Sequence, residues 1–461
     1  MAVFLFAILM IIEIGFVLFE ISRSREKREW SKERAIADAA QLLIYLAMIL
    51  LPGIDFSFRF KGLFIVLVIR TIVAAVLMLI YRRNENTKKK AAMVLSAVLS
   101  AVIILTSMIP AFVFTDYQRR ELTGEYAVAQ TEAILIDSSR LESFESDGSF
   151  REVPVHFYYP ESYDSVKKAS LPLIIFSHGA FGYYQSNTST YMELASNGYV
   201  VVSLDHPYHS FYTKDSSGKT ITVAPEFIQT AMSVGNDPDA QYTEEEIYEI
   251  TSEWMQLRMD DMTFVVDALE SAVWGELGDS WHFEKTTGNE TTEKEIKEML
   301  SLIDISKIGL MGHSLGGATA VTVGRRDDIG AVVDLDGTML GEEIGVENGM
   351  PVINEEPYTT PLFSITNEPH HMSAAEAGKL SYSYANNVIL NNADEGFETY
   401  FVGSEHMDFT DLPLFSPFLA GLLGKGEVDS GYCIDTTNQL VLEFFNCYLK
   451  GKGTFTVQES Y

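Results

Sequence analysis

The chain is poor in cysteine and, over most of its length, in positive charge. Only Cys433 and Cys447 occur among its 461 residues, so at most one disulfide can form. Two free thiols are the equal alternative, and neither cysteine has metal-ligand spacing. Residues 116–461 contain 19 Lys and Arg against 56 Asp and Glu. An acidic domain of this kind is repelled by nucleic acid and by anionic headgroups, so we expect no nucleic-acid partner.

Residues 1–115 are different, because they are apolar and carry 14 Lys and Arg against 8 Asp and Glu. A basic start and a small-residue cleavage site are both missing at the N-terminus, which argues against a removable signal peptide. We expect four transmembrane helices that anchor the chain in a lipid bilayer, from the apolar stretches 3–19, 39–54, 62–81 and 91–114. Glu13 and Arg70 lie within these stretches and should face the bundle interior or pair.

The basic connectors predict the orientation of these helices. Residues 23–34 and 82–90 are rich in Lys and Arg, whereas residues 52–61 contain only Arg59 and Lys61. Short basic loops stay in the cytoplasm, so two spans should separate the two basic loops. Four spans then place residues 116–461 outside the cytoplasm, and we expect an integral plasma membrane protein.

Beyond residue 120, short β-type runs alternate with helical stretches, which is typical of an α/β fold with a mostly parallel sheet flanked by helices. Helical spacing of apolar residues marks 253–269. Acidic insertions, either a lid or surface loops, cover about 211–250 and 275–303. Strands are expected at 126–135, 153–160, 171–179, 198–207, 306–314, 329–337, 361–366 and 398–406.

The stretch GLMGHSLGGATA at 309–320 carries the candidate nucleophile. Its Gly-x-Ser-x-Gly core closes a predicted strand and opens a small-residue helix, as a nucleophile elbow requires. Gly312 and Gly316 leave room for the tight turn that lifts Ser314 to the edge of the sheet. The backbone amide of Leu315 should then point at a developing oxyanion.

A second oxyanion donor is expected in the loop SHGAFGYY at 177–184, after the third strand of the fold. The His-Gly turn exposes the amide of Ala180 or, failing that, of Phe181. We interpret His178 as a structural loop residue and not as the catalytic base.

The remaining partners of the serine are a base and an acid, which in this fold follow it in the order acid, then histidine. His406 lies just past the last predicted strand, where the base is needed, whereas His370 and His371 are predicted loop residues. Asp336 ends the strand after the elbow and is the expected acid. Glu368, at the end of the next strand, is the alternative acid.

Asp336 also belongs to a pattern, DLDGT at 334–338, that in one group of phosphatases supplies a nucleophilic Asp and a Mg²⁺ site. That motif normally opens its domain, and it needs a lysine that is not well placed here. The hydrolase interpretation uses the same Asp336 and also explains the elbow and His406, so we expect no metal and no cofactor.

These motifs together resemble the plasma-type platelet-activating-factor acetylhydrolases, serine esterases also called lipoprotein-associated phospholipases. The similarity covers about residues 123–450 and excludes the membrane part. It depends on Arg151, Val155, Tyr158-Tyr159-Pro160, Phe176-Ser177-His178-Gly179, ELASNGYVVVSLDH, IDISKIGLMGHSLGGAT, Leu335-Asp336, Gly403-Ser404-x-His406 and Phe409. The resemblance implies an α/β-hydrolase fold, a triad of Ser314, Asp336 and His406, and oxyanion amides of Leu315 and Ala180.

The resemblance further implies metal-free cleavage of short or oxidised acyl chains from glycerophospholipids. The expected function is a membrane-anchored serine carboxylic-ester hydrolase that acts on short-acyl lipid esters through an acyl-enzyme. An acyltransferase or thioesterase with the same triad is the alternative within this chemistry. A non-catalytic membrane binding or transport protein is the alternative from another class.

Overall fold

The computed structural model describes residues 1–23, 26–50, 54–117, 119–161, 166–235, 242–275, 277–283, 289–380 and 384–461. The chain forms two compact units. The first comprises Met1–Tyr117 with Phe415–Leu419, and the second comprises Gln118–Leu414 with Ala420–Tyr461. The predicted boundary after residue 115 lies two residues before the end of the main segment of the first unit.

The first unit is built from four helices: α1 (Ala2–Ile21), α2 (Lys27–Leu50), α3 (Phe58–Ile80) and α4 (Lys90–Val113). Helices α1, α3 and α4 are long and apolar enough to cross a membrane, and α2 does not meet that criterion among the described residues. The expected bounds of the second stretch were wrong, because α2 already begins within the predicted basic loop. Its first turns contain straight-chain charged residues, which favour helix and pair across one turn.

Charged side chains from these helices meet in a buried cluster, which we call the bundle ion cluster. Arg34 of α2 binds Glu13 of α1 at 2.6 Å and Asp38 of its own helix at 3.0 Å. Arg70 of α3 reaches the same Glu13 at 3.0 Å and the same Asp38 at 2.8 Å. Arg34 also donates to Ser100 of α4 at 2.9 Å. Two cations therefore balance two anions in the interior, as expected for Glu13 and Arg70.

The second unit contains a nine-stranded sheet in the order β13-β12-β9-β8-β3-β4-β2-β1-β7, and two short hairpins, β5–β6 and β10–β11. The strands are β1 (Val128–Leu141), β2 (Phe150–Pro160), β3 (Leu171–Ser177), β4 (Val200–Leu204), β5 (Tyr212–Lys214), β6 (Thr220–Thr222), β7 (Trp281–His282), β8 (Ile303–His313), β9 (Ile329–Leu335), β10 (Glu343–Glu347), β11 (Met350–Ile353), β12 (Leu362–Asn367) and β13 (Gly396–Phe401). The eight predicted strands are all present.

The sheet is parallel from β4 across to β13, and β2 joins it antiparallel to β4. The helices of this unit are α5 (Thr188–Ser196), α6 (Pro225–Gly235), α7 (Glu244–Trp274), α8 (Asn289–Leu300), α9 (Leu315–Val323), α10 (Glu368–Leu380), α11 (Ala385–Asn392), α12 (Leu412–Phe415), α13 (Pro417–Leu422) and α14 (Ser430–Lys450). This strand order, with helices between parallel strands, is that of the α/β-hydrolase fold, which confirms the predicted class.

Both faces of the sheet are covered, and the central strands show why. All seven residues of β3 are buried. Leu173 and Ile175 pack into the core on one face, which includes α7, while Ile174 and Phe176 pack into the core on the other, which includes α14. Successive strand side chains point to opposite faces, so a strand covered on both sides is a continuous apolar run. The carboxyl ends of β3, β8, β9 and β12 therefore meet at one edge of the sheet.

Part of the first insertion, 211–250, lies outside the described residues, as does part of the second, 275–303. Within the first, Phe227 of α6 stacks on His209 at a ring distance of 3.8 Å and lies 5.3 Å from Phe181. Thus α6 packs against the loop after β3. The two cysteines are free thiols, and because both lie on α14, fourteen residues apart, their separation of about 21 Å along the helix excludes a bridge.

Candidate active site

Ser314 lies in the sharp turn between β8 and α9. Its backbone has φ 56° and ψ −125°, which is a strained conformation for a residue with a side chain. The turn is fixed because the Ser314 amide donates to Leu335 O at 2.9 Å. A Cβ on Gly312 or Gly316 would collide with neighbouring backbone atoms. The elbow expected from the sequence is therefore present, with both glycines required by space.

Asp336 and His406 lie side by side at the same edge of the sheet. Asp336 follows β9, and His406 follows β13 in a short 3₁₀ turn over His406–Phe409. The His406 Nδ1–H donates to Asp336 Oδ2 at 2.6 Å. Asn367 at the end of β12 donates twice to the same carboxylate, through its backbone N to Oδ1 at 2.8 Å and through Nδ2 to Oδ2 at 2.6 Å. This fixes the carboxylate and the imidazole tautomer.

The neighbour of Ser314, His313, connects the elbow to His406. The ring of His313 lies 4.6 Å from that of His406, and its Nε2–H donates to the His406 carbonyl at 3.1 Å. Burial, with a smaller contribution from His406, lowers the pKa of His313 to about 3, which keeps it neutral. Within the described chain, the Ser314 hydroxyl makes no hydrogen bond to the His406 ring. Catalytic hydrogen bonds often shorten only when substrate binds.

The alternative acid, Glu368, has another contact. Its Oε2 accepts the Gly403 amide at 2.8 Å, so it holds the loop that leads to His406. His370, expected as a loop residue, lies instead on α10, and its Nδ1–H donates to Asp336 Oδ1 at 2.9 Å. Sequence reasoning missed this contact, because strand order alone places a histidine after β12 near the acid without saying which way it points.

Asp334 on β9 and Asp336 just after it have pKa values shifted in opposite directions. Burial alone would raise the pKa of Asp336, but hydrogen bonds from His370 and His406 outweigh it and hold that pKa below its ordinary range. Asp334 is fully buried, and burial raises its pKa to about 7. It accepts the Gly337 amide at 2.9 Å and the Ser364 hydroxyl at 3.0 Å. Asp334 is thus occupied inside the fold, unlike the exposed nucleophile that a phosphatase needs.

Two backbone amides remain available next to the serine. Those of Ala180 and Leu315 donate to no other residue in the described ranges, whereas the Phe181 amide donates to His209 O at 3.2 Å. The structure therefore favours Ala180 over Phe181 as the expected donor. The loop passes close to the elbow, because a Cβ on Gly179 would lie 3.0 Å from Ser314 Cβ and 2.8 Å from His313 Nδ1.

A buried arginine holds this loop from behind. Arg258 of α7 is fully buried, and its guanidinium donates to His178 O at 2.6 Å and to Gly179 O at 3.3 Å. Burial lowers the pKa of Arg258 to about 9, against the attraction of Asp261. His178 itself is internal, with Nδ1 on Gly179 O and Nε2 on Ser210 Oγ, both at 2.7 Å. No sequence signal pointed to Arg258, because it lies on a helix about 80 residues further along the chain than this loop.

A second Asp-His-Ser constellation lies beneath the same loop. Ser177 Oγ is 2.8 Å from His206 Nε2, and His206 Nδ1 is 2.9 Å from Asp261 Oδ2. All three residues are fully buried, and Asp261 also binds Arg151 at 2.7 Å. Burial lowers the pKa of His206 to about 4. The residue types match a triad, but Ser177 lies within a strand and has no access to substrate.

Residues 152–460 match the family described as "Platelet-activating factor acetylhydrolase, isoform II". This chain belongs to that family. The match confirms the resemblance noted in the sequence and supports the expected class, a serine ester hydrolase.

Similar curated proteins carry the same name. The platelet-activating factor acetylhydrolase of Bos taurus is 25% identical over 291 residues, which cover 60% of this chain and 57% of the relative. Those of Canis lupus familiaris and Gallus gallus are 25% and 23% identical, covering 63% of this chain in each case and 60% and 64% of the relatives. The chain thus spans about three fifths of the length of these relatives.

Among solved structures, the ferulic acid esterase from Streptomyces cinnamoneus aligns with a TM-score of 0.48 and 18% identity. The alignment covers 74% of this chain and 95% of that chain.

Proposed function

We propose that this chain is a membrane-anchored serine carboxylic-ester hydrolase that uses Ser314, His406 and Asp336. The observation that carries the proposal is the 2.6 Å hydrogen bond from His406 to Asp336, whose two oxygens also accept from Asn367 and His370. This bond lies at the sheet edge where Ser314 occupies a strained turn. Such strain at a non-glycine residue is maintained by the surrounding structure, and it clusters at active sites.

The proposed reaction is acyl transfer in two steps. In the first, the Ser314 hydroxyl attacks the ester carbonyl and His406 Nε2 takes its proton, which it then gives to the leaving alcohol as the C–O bond breaks. In the second, His406 takes a proton from water, water attacks the acyl-enzyme, and Ser314 is released with its proton restored. Asp336 stabilises the imidazolium in both steps. The amides of Leu315 and Ala180 bind the oxyanion, each contributing roughly 10²–10³-fold in rate.

Short-acyl lipid esters are the proposed substrates, of the 1-alkyl-2-acetylglycerophosphocholine type. The curated relatives are named for platelet-activating factor. Close to Ala180, the rings of Phe181, Phe227 and Trp254 are in series, with centroid distances of 5.3 and 5.2 Å. Such rings suit an apolar chain better than a polar acyl group.

The test of the chemistry uses the purified full chain in detergent. A fluorophosphonate probe should label the wild type and should fail to label Ser314→Ala, whereas Ser177→Ala, the serine of the buried second constellation, should still be labelled. Ester hydrolysis should fall to background only in Ser314→Ala, with acetyl phospholipids and p-nitrophenyl esters as substrates. Ester products formed with an added alcohol would indicate an acyltransferase instead. Full labelling of Ser314→Ala would contradict the proposal.

We also propose that α2 crosses the bilayer with α1, α3 and α4. The bundle ion cluster supports this, because Arg34 and Asp38 of α2 are neutralised by Glu13 and Arg70 and need not face lipid. The start of α2 also lies beside the connector before α4, since the Lys27 amide donates to Asn86 O at 2.9 Å. The two basic connectors thus share one end of the bundle, with two helices between them.

On this ground we propose that the chain lies in the plasma membrane with residues 116–461 on the side away from the cytoplasm. Epitope tags at the C-terminus and at the N-terminus should both be digested when protease is added to intact cells, because four spans put both ends on the same side of the membrane. Protection of the C-terminal tag would refute the orientation. Digestion of the C-terminal tag with protection of the N-terminal tag would show an odd number of spans and would refute the crossing by α2.

A further inference from the structure

His370 is a second imidazole on the carboxylate that the proposed triad uses. Oδ1 of Asp336 accepts from His370 Nδ1 at 2.9 Å and from the Asn367 amide, while Oδ2 accepts from His406 Nδ1 and from the Asn367 side chain. The two rings therefore approach opposite oxygens of one carboxyl group. A triad acid needs only one histidine, so the second ring calls for an explanation.

The contacts of His370 fix its place firmly. Its backbone amide donates to Asn367 Oδ1 at 2.6 Å, and its side chain is only 11% exposed. Its buried Nε2 has no hydrogen-bond partner within the ranges that the structure describes. Among the described residues, the ring of His370 therefore makes its side-chain hydrogen bond to Asp336 through Nδ1 alone.

We propose that His370 is a positioning residue that sets the basicity of His406 through their shared carboxylate, Asp336. The inference rests on the proposed ester hydrolase function and adds a determinant of the pH range in which the base is active.

The direction follows from the electrostatics of the pair. A carboxylate that already accepts a hydrogen bond from His370 has less negative charge to offer the His406 imidazolium. When His370 itself is protonated, its positive charge opposes a second positive charge on His406. Both effects make His406 harder to protonate, so His406 stays available as a base at lower pH.

The other ionisable side chains that face His370 are Asp334, Glu398 and Tyr384. Burial alone would lower the pKa of His370, but its bond to Asp336 raises it, with smaller contributions from Asp334 on β9 and Glu398 on β13. Tyr384, before α11, faces the ring edge-on at 5.8 Å. Because the bond to Asp336 raises its pKa, His370 carries a proton over more of the acidic range than a free histidine.

The experiment measures the rate of fluorophosphonate inactivation of the full chain as a function of pH, which requires no knowledge of the natural substrate. His370→Phe should move the midpoint of the acidic limb upward by about one unit, so that one unit below the wild-type midpoint inactivation is about ninefold slower. The plateau at higher pH should change little. His371→Phe is the matched control, because His371 contacts Glu398 and not Asp336, and its midpoint should be unchanged.

Each outcome decides between the two roles. A lower plateau with an unshifted midpoint in His370→Phe would mean that the ring is merely structural and would overturn the inference, as would a downward shift. If His370→Phe fails to fold, His370→Gln carries the test, and its midpoint should rise by less because an amide can still donate to Asp336. A wild type that takes up no probe would refute the proposed function itself.

Discussion

Replacing Asp336 by Asn gives the most demanding test of the site. The carboxylate accepts four N–H donors, two on each oxygen. In whichever orientation an amide is placed, its NH₂ group faces two of these donors. If it faces His406, Nδ1 must become the acceptor, the proton moves to Nε2, and the ring can no longer take the proton of Ser314.

The expected loss in kcat for Asp336→Asn is about 10⁴-fold, or roughly 5.5 kcal/mol of transition-state stabilisation. The matched control is Asp334→Asn, two residues earlier on the same strand. Burial holds the pKa of Asp334 at about 7, and among the described residues it accepts only from the Gly337 amide and the Ser364 hydroxyl. An Asn oxygen can keep the first bond, and the Ser364 hydroxyl can turn to accept from the NH₂ group.

The assay is hydrolysis of a p-nitrophenyl ester, with kcat and KM measured separately for wild type, Asp336→Asn and Asp334→Asn. Asp334→Asn should retain kcat within about threefold, since it preserves a neutral hydrogen-bonding group. A loss below about tenfold in Asp336→Asn would refute the assignment of the acid. Equal losses in both variants would show that the strand end, and not the charge of Asp336, is what matters.

Two further predictions concern the stability contribution of Asp334 and the support that Arg258 gives to the loop after β3. Because the pKa of Asp334 is raised in the folded chain, its contribution to stability is full below about pH 4 and is lost as pH rises through about 7. Asp334→Asn removes this loss, so its melting temperature relative to wild type should rise between pH 5 and pH 8; a constant difference would contradict the burial argument. Arg258→Met frees the His178 and Gly179 carbonyls and should lower kcat by about 10–100-fold through misplacement of the Ala180 amide. The control Arg140→Met removes another partner of Asp261 without touching the loop, and an equal loss of kcat there would refute the positioning role.

Much of the site could be predicted because its signals are local. A nucleophile elbow needs small residues on both sides of a serine within five positions, so Ser314 and the amide of Leu315 were readable from one short stretch. The strand ends that carry Asp336 and His406 were readable from runs of buried apolar residues. In each case the physical requirement and the residues that meet it are neighbours in the sequence.

The apolar first unit shows where such signals fail. Composition separated residues 1–115 from the acidic remainder, and hydropathy found α1, α3 and α4. It misplaced the start of α2, because a window of hydropathy treats Arg34 and Asp38 as polar, whereas the structure neutralises both within the bundle. Whether a charge is exposed or paired depends on partners in other helices, which hydropathy does not include.

The sequence by itself determined the class of fold, the elbow turn at Ser314 and the separation of an apolar part from an acidic one, since each of these depends on spacing or composition within a short window. Tertiary structure alone decided that His370 shares Asp336 with His406, that Glu368 holds the Gly403 loop, and that Arg258 of α7 fixes the loop after β3. The reason is that a hydrogen bond depends on distance and direction in space, and residues dozens of positions apart acquire these only when the sheet and its helices are packed.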